Sequence, residues 1–216
     1  MKKIPCVFQR FDEGRRNSLV VRVVTPGCEW VLDGEGRPTI KWDGTACMVR
    51  DGYLFKRYVR KPTKAAYRAR KRERFPYTLE DLKPTPDGWE PCGEPDLVGG
   101  QWPGWVPVNI LAEDRWHREA WDRVLETFGR TPPSGTYELL GPKVQGNPYG
   151  FPHHVLLPHG MPCAGDVPRT FEGIKSFLEG FGHEGIVFHH PDGWMAKIRR
   201  RDFGFAWPLA TGGTVK

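Results

Sequence analysis

Glycine and proline punctuate this chain so heavily, at 26 and 21 of its 216 positions, that a bundle of long helices is excluded. Glycine costs a helix backbone entropy and proline removes a helical N–H, so short strands joined by turns and irregular loops are expected. The length allows a sizeable core in one domain over 1–216, or one with an insertion at about 75–130. No stretch approaches the roughly 20 apolar residues of a membrane span. The start, MKKIPCVFQRFDEG, is broken by Pro5, Gln9 and Arg10 before an apolar signal region can form. A cytoplasmic protein with no membrane partner is the expectation. Cys6, Cys28, Cys47, Cys92 and Cys163 are odd in number and include no C-x-x-C pair. That spacing argues against a disulfide framework and a structural zinc site, and for small reduced core or loop residues.

Residues 18–24, SLVVRVV, read as a buried strand ended by Pro26-Gly27. From 28 to 59 the chain alternates β-rich runs with Gly34-Glu35-Gly36, Asp43-Gly44 and Asp51-Gly52, the pattern of an antiparallel meander. Two later strand signals are GTYELLG at 135–141 and a hairpin, EGIVFHH and WMAKIRR, about Pro191-Asp192-Gly193. Helices are predicted over 63–74, over 113–128 with Trp116, Ala120, Val124 and Phe128 on one core face, and over 170–179 with Thr170 as N-cap. The Pro-, Gly- and Trp-rich residues 75–110 read as loops laid over a sheet. This is an α+β pattern with antiparallel sheets flanked by helices.

Charge is concentrated. Residues 56–74 hold ten Lys/Arg against the single acid Glu73, so a total of +6 leaves the rest of the chain at −3. Such a segment is either a solvated helical face or a polyanion contact, and nucleic-acid phosphate is the default polyanion. Tyr58 and Tyr67 offer rings to bases. Arg60, Lys64, Arg68, Arg70, Lys71 and Arg72 are the candidate nucleic-acid contacts.

Lys41, Glu138, Glu184 and Lys197 are charged groups on strands, each either a surface residue or one that needs a partner or ligand. Their order, KWDG at 41–44, ELLGPKVQGNPYG at 138–150, EGIVF at 184–188 and MAKIRRRDFG at 195–204, resembles the covalent nucleotidyltransferases: ATP-dependent DNA and RNA ligases and mRNA capping enzymes. The ELLG phrase with PHHVLLPHG behind it is most similar to the small vertebrate-type RNA ligases.

The resemblance implies a nucleotidyltransferase (adenylation) fold and, with only twelve residues after 204, no C-terminal OB-fold. It implies ATP as co-substrate, Mg²⁺ or Mn²⁺ as cofactor, and RNA with 5′-phosphate and 3′-hydroxyl ends as partner. Lys41 would be the AMP-accepting nucleophile, Glu184 the metal ligand, and Lys197 a catalytic contact to the α-phosphate. Ile40, Asp43, Gly44, Arg57, Glu138, His154 and Arg199 would complete the nucleotide site, Glu138 at the ribose. Either Arg57 or Arg60 suits the nucleotide, and Arg57 is preferred because it continues a strand. His153 and His154 alternate, so one could stack on adenine, and His154 is preferred. Arg199 stands where the family commonly has lysine, a change that is not neutral for phosphate contact. The alternatives are a DNA ligase, an RNA-adenylylating or capping enzyme, and a non-catalytic RNA-binding module.

Overall fold

The computed structural model describes residues 4–11, 19–73, 76–163 and 165–209, with the side chains of all of these except 71–73. In chain order the elements are β1 (Phe8–Arg10), β2 (Val20–Val24), α1 (Glu29–Leu32), β3 (Arg37–Lys41), β4 (Thr45–Arg50), β5 (Tyr53–Arg60) and α2 (Lys64–Glu73). There follow β6 (Glu90–Pro91), β7 (Trp102–Pro107), α3 (Arg115–Phe128), β8 (Gly135–Leu140), β9 (Val155–Pro158), α4 (Phe171–Gly180), β10 (Gly185–His189) and β11 (Met195–Arg199). No helix among the described residues is long and apolar enough to cross a membrane. The α+β class with antiparallel pairing is as expected.

One compact unit comprises Thr45–Val144 and Phe151–Leu157. It holds a six-stranded sheet in the order β6-β7-β5-β4-β8-β9. Asp51 and Gly52 both take positive φ, +52° and +79°, as the tight hairpin between β4 and β5 requires. Alternation turns Cys47, Val49, Leu54, Tyr137 and Leu139 to one face, where they close a core against Ala120 of α3. Trp116, Trp121 and Val124 pack around this core. Phe128, expected with them, is 68% exposed. It ends the helix at the left-handed cap Gly129, past the edge of the core face.

Residues 75–110 are not simply loops over the sheet, because β7 pairs with β5 along its whole length. Its prolines hide the strand signal in the sequence but fit the ladder. The Val108 N–H donates to the Leu54 C=O, which directs even-numbered residues of β7 at β5. Pro103 and Pro107 therefore face the short edge strand β6 and leave no bond to β5 unmade.

The other unit comprises Ile4–Gly44, Gln145–Gly150 and 158–209. It holds a three-stranded sheet, β11-β10-β3, and a β1-β2 ribbon. Thr170 caps α4 as expected, its side chain accepting from the Gly173 N–H at 3.1 Å. The strand at 20–24 forms, but it is not a buried one: only Val20 is buried and Val23 lies in solvent, because its single partner is a three-residue strand. Residues 29–32 form a helical turn, not a strand of a meander. Trp30 and Val31 are adjacent and both buried, which alternating strand geometry cannot deliver. The meander also breaks at 41–45, since β3 pairs with β10 and β4 with β5 and β8.

Lys56 is the charged exception on the core side of the larger sheet. Its ammonium meets Asp114 at 2.5 Å and Glu113 at 2.6 Å, and Asp114 also accepts from the Asn109 N–H at 3.0 Å. Burial works against the Lys56 charge, yet the two carboxylates hold its pKa above the usual lysine value. Asp114 is fully buried, so Asp114→Ala leaves the Lys56 ammonium with Glu113 alone and strands the Asn109 amide, and should cost about 2 kcal/mol in urea unfolding. A loss below about 1 kcal/mol would show that solvent screens the pair.

Candidate active site

In the sheet β11-β10-β3 every second residue faces the core. Ile186, Phe188, Ala196 and Ile198 pack with Ile174 and Leu178 of α4. The alternate residues build a face of opposite character. Gly185 is paired in register with both Lys41 and Arg199, and Val187 with both Thr39 and Lys197. Lys41, Lys197 and Arg199 therefore project from one side of the sheet. Ile40, expected at the nucleotide, is in register with Ile186 and turns its side chain to the apolar side. Its N–H donates to the Met161 C=O at 2.8 Å.

Gly185 lets β11 lie close against β10 at the level of the cations. A Cβ there would come within 2.2 Å of the Ile198 carbonyl oxygen and 2.8 Å of the Arg199 Cα. No other residue fits without moving β11.

Glu184, the residue before β10, is buried and forms an ion pair with the Lys41 ammonium. Burial raises the pKa of its carboxyl, against the opposing pull of Lys41. Lys197 is pushed down to about 8, first by burial and then by the charges of Lys41 and Arg199. Arg199 is also held by Asp202, which accepts from its guanidinium at 2.8 Å and binds Arg10 at the same distance. The site thus sets Lys41, Lys197 and Arg199 beside two buried carboxylates, Glu184 and Asp202, with Arg10 also on Asp202. The cations outnumber the carboxylates, a balance that suits an anionic ligand.

Asp43-Gly44 does not form a hairpin turn after Lys41; it is gripped by a separate loop. The Asp43 N–H donates to the Tyr149 hydroxyl at 2.9 Å, and its carboxylate accepts from the Trp207 Nε1–H at 2.8 Å. Gln145 donates to the Gly44 carbonyl at 3.4 Å. The loop QGNPYG reaches them through positive φ at Gln145, Gly146, Asn147 and Gly150. Asn tolerates that geometry better than most side chains. Tyr149 also packs its ring near Trp42, His183 and Trp207. Burial raises its pKa, so it stays a neutral hydroxyl. These positioning groups were missed in the sequence. Asn147-Pro148-Tyr149-Gly150 signals a turn, but nothing in its spacing tells which backbone it will hold.

On the sheet of the other unit, Glu138 pairs in register with Ala46, and the β4–β5 register carried one step further sets Arg57 opposite Ala46. Glu138 and Arg57 share the face turned away from the α3 core. Arg60 lies on the opposite side in alternation. It is engaged by the Lys83 carbonyl at 2.8 Å and by the rings of Trp89 and Trp102. His154 is not an adenine platform. Its ring stacks on Trp116 at 4.7 Å, Nδ1 lies 2.9 Å from the Glu119 carboxylate, and only 2% of the residue is exposed. Gly141 closes on it so tightly that a Cβ there would meet its Cδ2 at 2.7 Å. His153 is the exposed member of the pair.

The basic helix forms as expected over Lys64–Glu73. Lys64 and Arg68 are exposed. Arg70 is not a free contact: it pairs with Asp81 at 3.5 Å and covers the Tyr77 ring. The side chains of Lys71 and Arg72, and residue Arg74, lie outside what the structure describes.

An α+β chain with a lysine paired to a buried carboxylate on a cationic sheet face has a site built to engage anions. Comparison with known proteins sharpens this. The sequence profile described as RNA ligase 1 matches residues 131–213. Relatives named RNA ligase 1 include those of Pongo abelii, 32% identical over 96% of this chain and 82% of their own, and Danio rerio, 32% identical over 97% and 82%. The one from Rattus norvegicus is 31% identical over 96% and 82%. The chain belongs to the RNA ligase 1 family.

The Lys197 shift makes a stability prediction with a definite sign. Its folded pKa, about 8, lies below the ordinary 10.5, so the unfolded chain binds more protons between those values and stability should rise with pH there. Lys197→Met should melt higher than wild type at about pH 7, and the gap should narrow towards about pH 10. A gap that does not change with pH would remove the buried charge as its cause.

Proposed function

We propose that this chain is an ATP-dependent RNA ligase that seals 5′-phosphate and 3′-hydroxyl RNA ends through a covalent lysyl-AMP intermediate. The observation that carries it is Lys41 paired with buried Glu184 beside Lys197 and Arg199. The names of the relatives and the order of the motifs support RNA as the polymer and end-joining as the reaction.

In this reading the neutral Lys41 amine attacks the α-phosphorus of ATP. A P–N bond forms, pyrophosphate leaves and the amine gives up a proton. Lysine is nucleophilic only without its proton. Glu184 is the carboxylate next to it and can take that proton. Lys197 and Arg199 offset negative charge that develops on the phosphate. The AMP then passes to the 5′-phosphate of RNA, breaking the P–N bond. A 3′-hydroxyl attacks that activated phosphorus, AMP leaves and the strand is joined.

Lys41, Lys197 and Arg199, projecting from one side of the sheet, fit a phosphate group among them. For a divalent ion the fit rests on Glu184, a hard oxygen donor of the kind that holds Mg²⁺ together with substrate phosphates and water. Mg²⁺ or Mn²⁺ would supply further charge neutralisation of the phosphates. Asp43 and Gly44, clamped by Tyr149, Trp207 and Gln145, hold the backbone next to Lys41. Glu138 as acceptor for ribose hydroxyls and Arg57 as a nucleotide contact follow the family pattern, and their shared sheet face agrees with a joint role.

ATP labelled at the α-phosphate, with Mg²⁺ or Mn²⁺, should label the wild-type protein, and Lys41→Ala should take up none. Lys197→Met should take up label on the order of a hundred-fold more slowly despite its higher melting temperature. A wild-type chain that takes up no AMP under either metal would overturn the proposal. Single-stranded RNA with a 5′-phosphate should be joined where nicked DNA is not, and the reverse preference would make it a DNA ligase.

A further inference from the structure

The sheet unit carries a groove outside the lysine site. A cavity of about 430 Å³ lies between the start of α2 and the 77–101 segment. Lys61, Lys64, Arg68 and Lys83 line it with Tyr67 and Tyr77. The groove is built, not accidental. The Thr63 N–H donates to the Asp81 C=O and the Lys83 N–H to the Lys61 C=O, both within 2.9 Å, so Lys61 and Lys83 are drawn together by a strand-like pairing. Tyr77 is fixed by the Arg70 guanidinium at 4.7 Å from its ring centre. Gly100, at φ +64°, presses so close that a Cβ would meet Pro62 and Tyr77 at 2.7 Å.

Three neighbouring cations of the unit have carboxylate partners, and among the described residues these four do not. Arg50 has Glu90, Lys56 has Asp114 and Glu113, and Arg70 has Asp81. Among the described residues no carboxylate lies within ion-pair distance of Lys61, Lys64, Arg68 or Lys83. Four like charges gathered without a counter-charge repel one another, and a bound polyanion relieves that cost. Tyr67 stands among them 61% exposed, a large ring facing water beside these charges.

We propose that this groove holds single-stranded RNA, its phosphodiesters on Lys61, Lys64, Arg68 and Lys83 and an unpaired base stacked on Tyr67. A duplex cannot satisfy both halves of the groove, because its bases are already stacked inside the helix and only phosphate and ribose are presented. Gln101, at the rim, has an amide that can both donate to and accept from a base edge. The groove therefore grips a single-stranded segment of the RNA. This rests on the reading that RNA is the polymer the chain handles.

Fluorescence anisotropy with the full chain tests it, using a short labelled single-stranded RNA and a blunt duplex of the same sequence. Wild type should prefer the single strand. Tyr67→Ala should weaken single-strand binding about ten-fold while Tyr67→Phe retains it. Lys83→Glu should weaken it too and reduce the dependence of log affinity on log salt by about one, with Lys61→Glu as a second charge variant should Lys83→Glu fail to fold. Equal binding of duplex, or wild-type affinity in Tyr67→Ala and in the charge variants, would overturn the groove. AMP labelling of wild type is scored separately. If wild type takes up no AMP yet these variants lose single-stranded RNA, the ligase reaction falls and the groove stands. If wild type labels normally and the variants bind as it does, the groove falls alone.

Discussion

The register that places Gly185 between Lys41 and Arg199 is the constraint on which the candidate active site depends. Antiparallel pairing aligns three residues from distant parts of the chain, and the period of two sends all of them to one face. The same alternation sends Ile186 and Ile198 into the core, so the cations sit on a floor that cannot tilt without exposing apolar surface. A slip of one residue in either pairing would exchange the two faces. The core and the cationic face of this unit are therefore two sides of one sheet.

Electrostatics then work in a small volume. Glu184 is buried yet paired with Lys41, while Lys197 has burial and two neighbouring cations acting against its proton. Such an arrangement is poor for stability, because it gathers positive charge on one partly buried face. Asp202 balances part of it by holding Arg199 and Arg10 together. The Lys56–Asp114 pair in the other unit shows the contrast. There a buried cation has two carboxylates, its charge is stabilised, and it serves packing.

Much of this was legible in order along the chain. Lys41, Glu184, Lys197 and Arg199 were identified from motif order, and the Asp51-Gly52 hairpin, the 185–199 hairpin and helices α2 and α4 from local pattern. The failures have physical causes. Proline disguised β7, because a strand signal counts residues while the ladder cares only which way each N–H points. Trp30-Val31 look like a strand and bury as a helical turn. His154 looked like a nucleotide platform, but Trp116 arrives from a helix nearly forty residues earlier in the chain and closes over it. Arg70 looked like its neighbours in the basic run until Asp81 and Tyr77 claimed it.

The sequence by itself determined what is local or periodic: the α+β class, the concentration of charge at 56–74, the presence of a lysine and a glutamate in strands and the order of the motifs. Tertiary structure alone decided which of those groups meet. It paired Lys41 with Glu184 across 143 positions of chain, brought Tyr149 and Trp207 to Asp43, and divided the basic run into paired and unpaired charges. The reason is that spacing along a strand or helix sets which face a side chain takes, whereas strand register and helix docking set what stands opposite, and these follow from burial of the whole core.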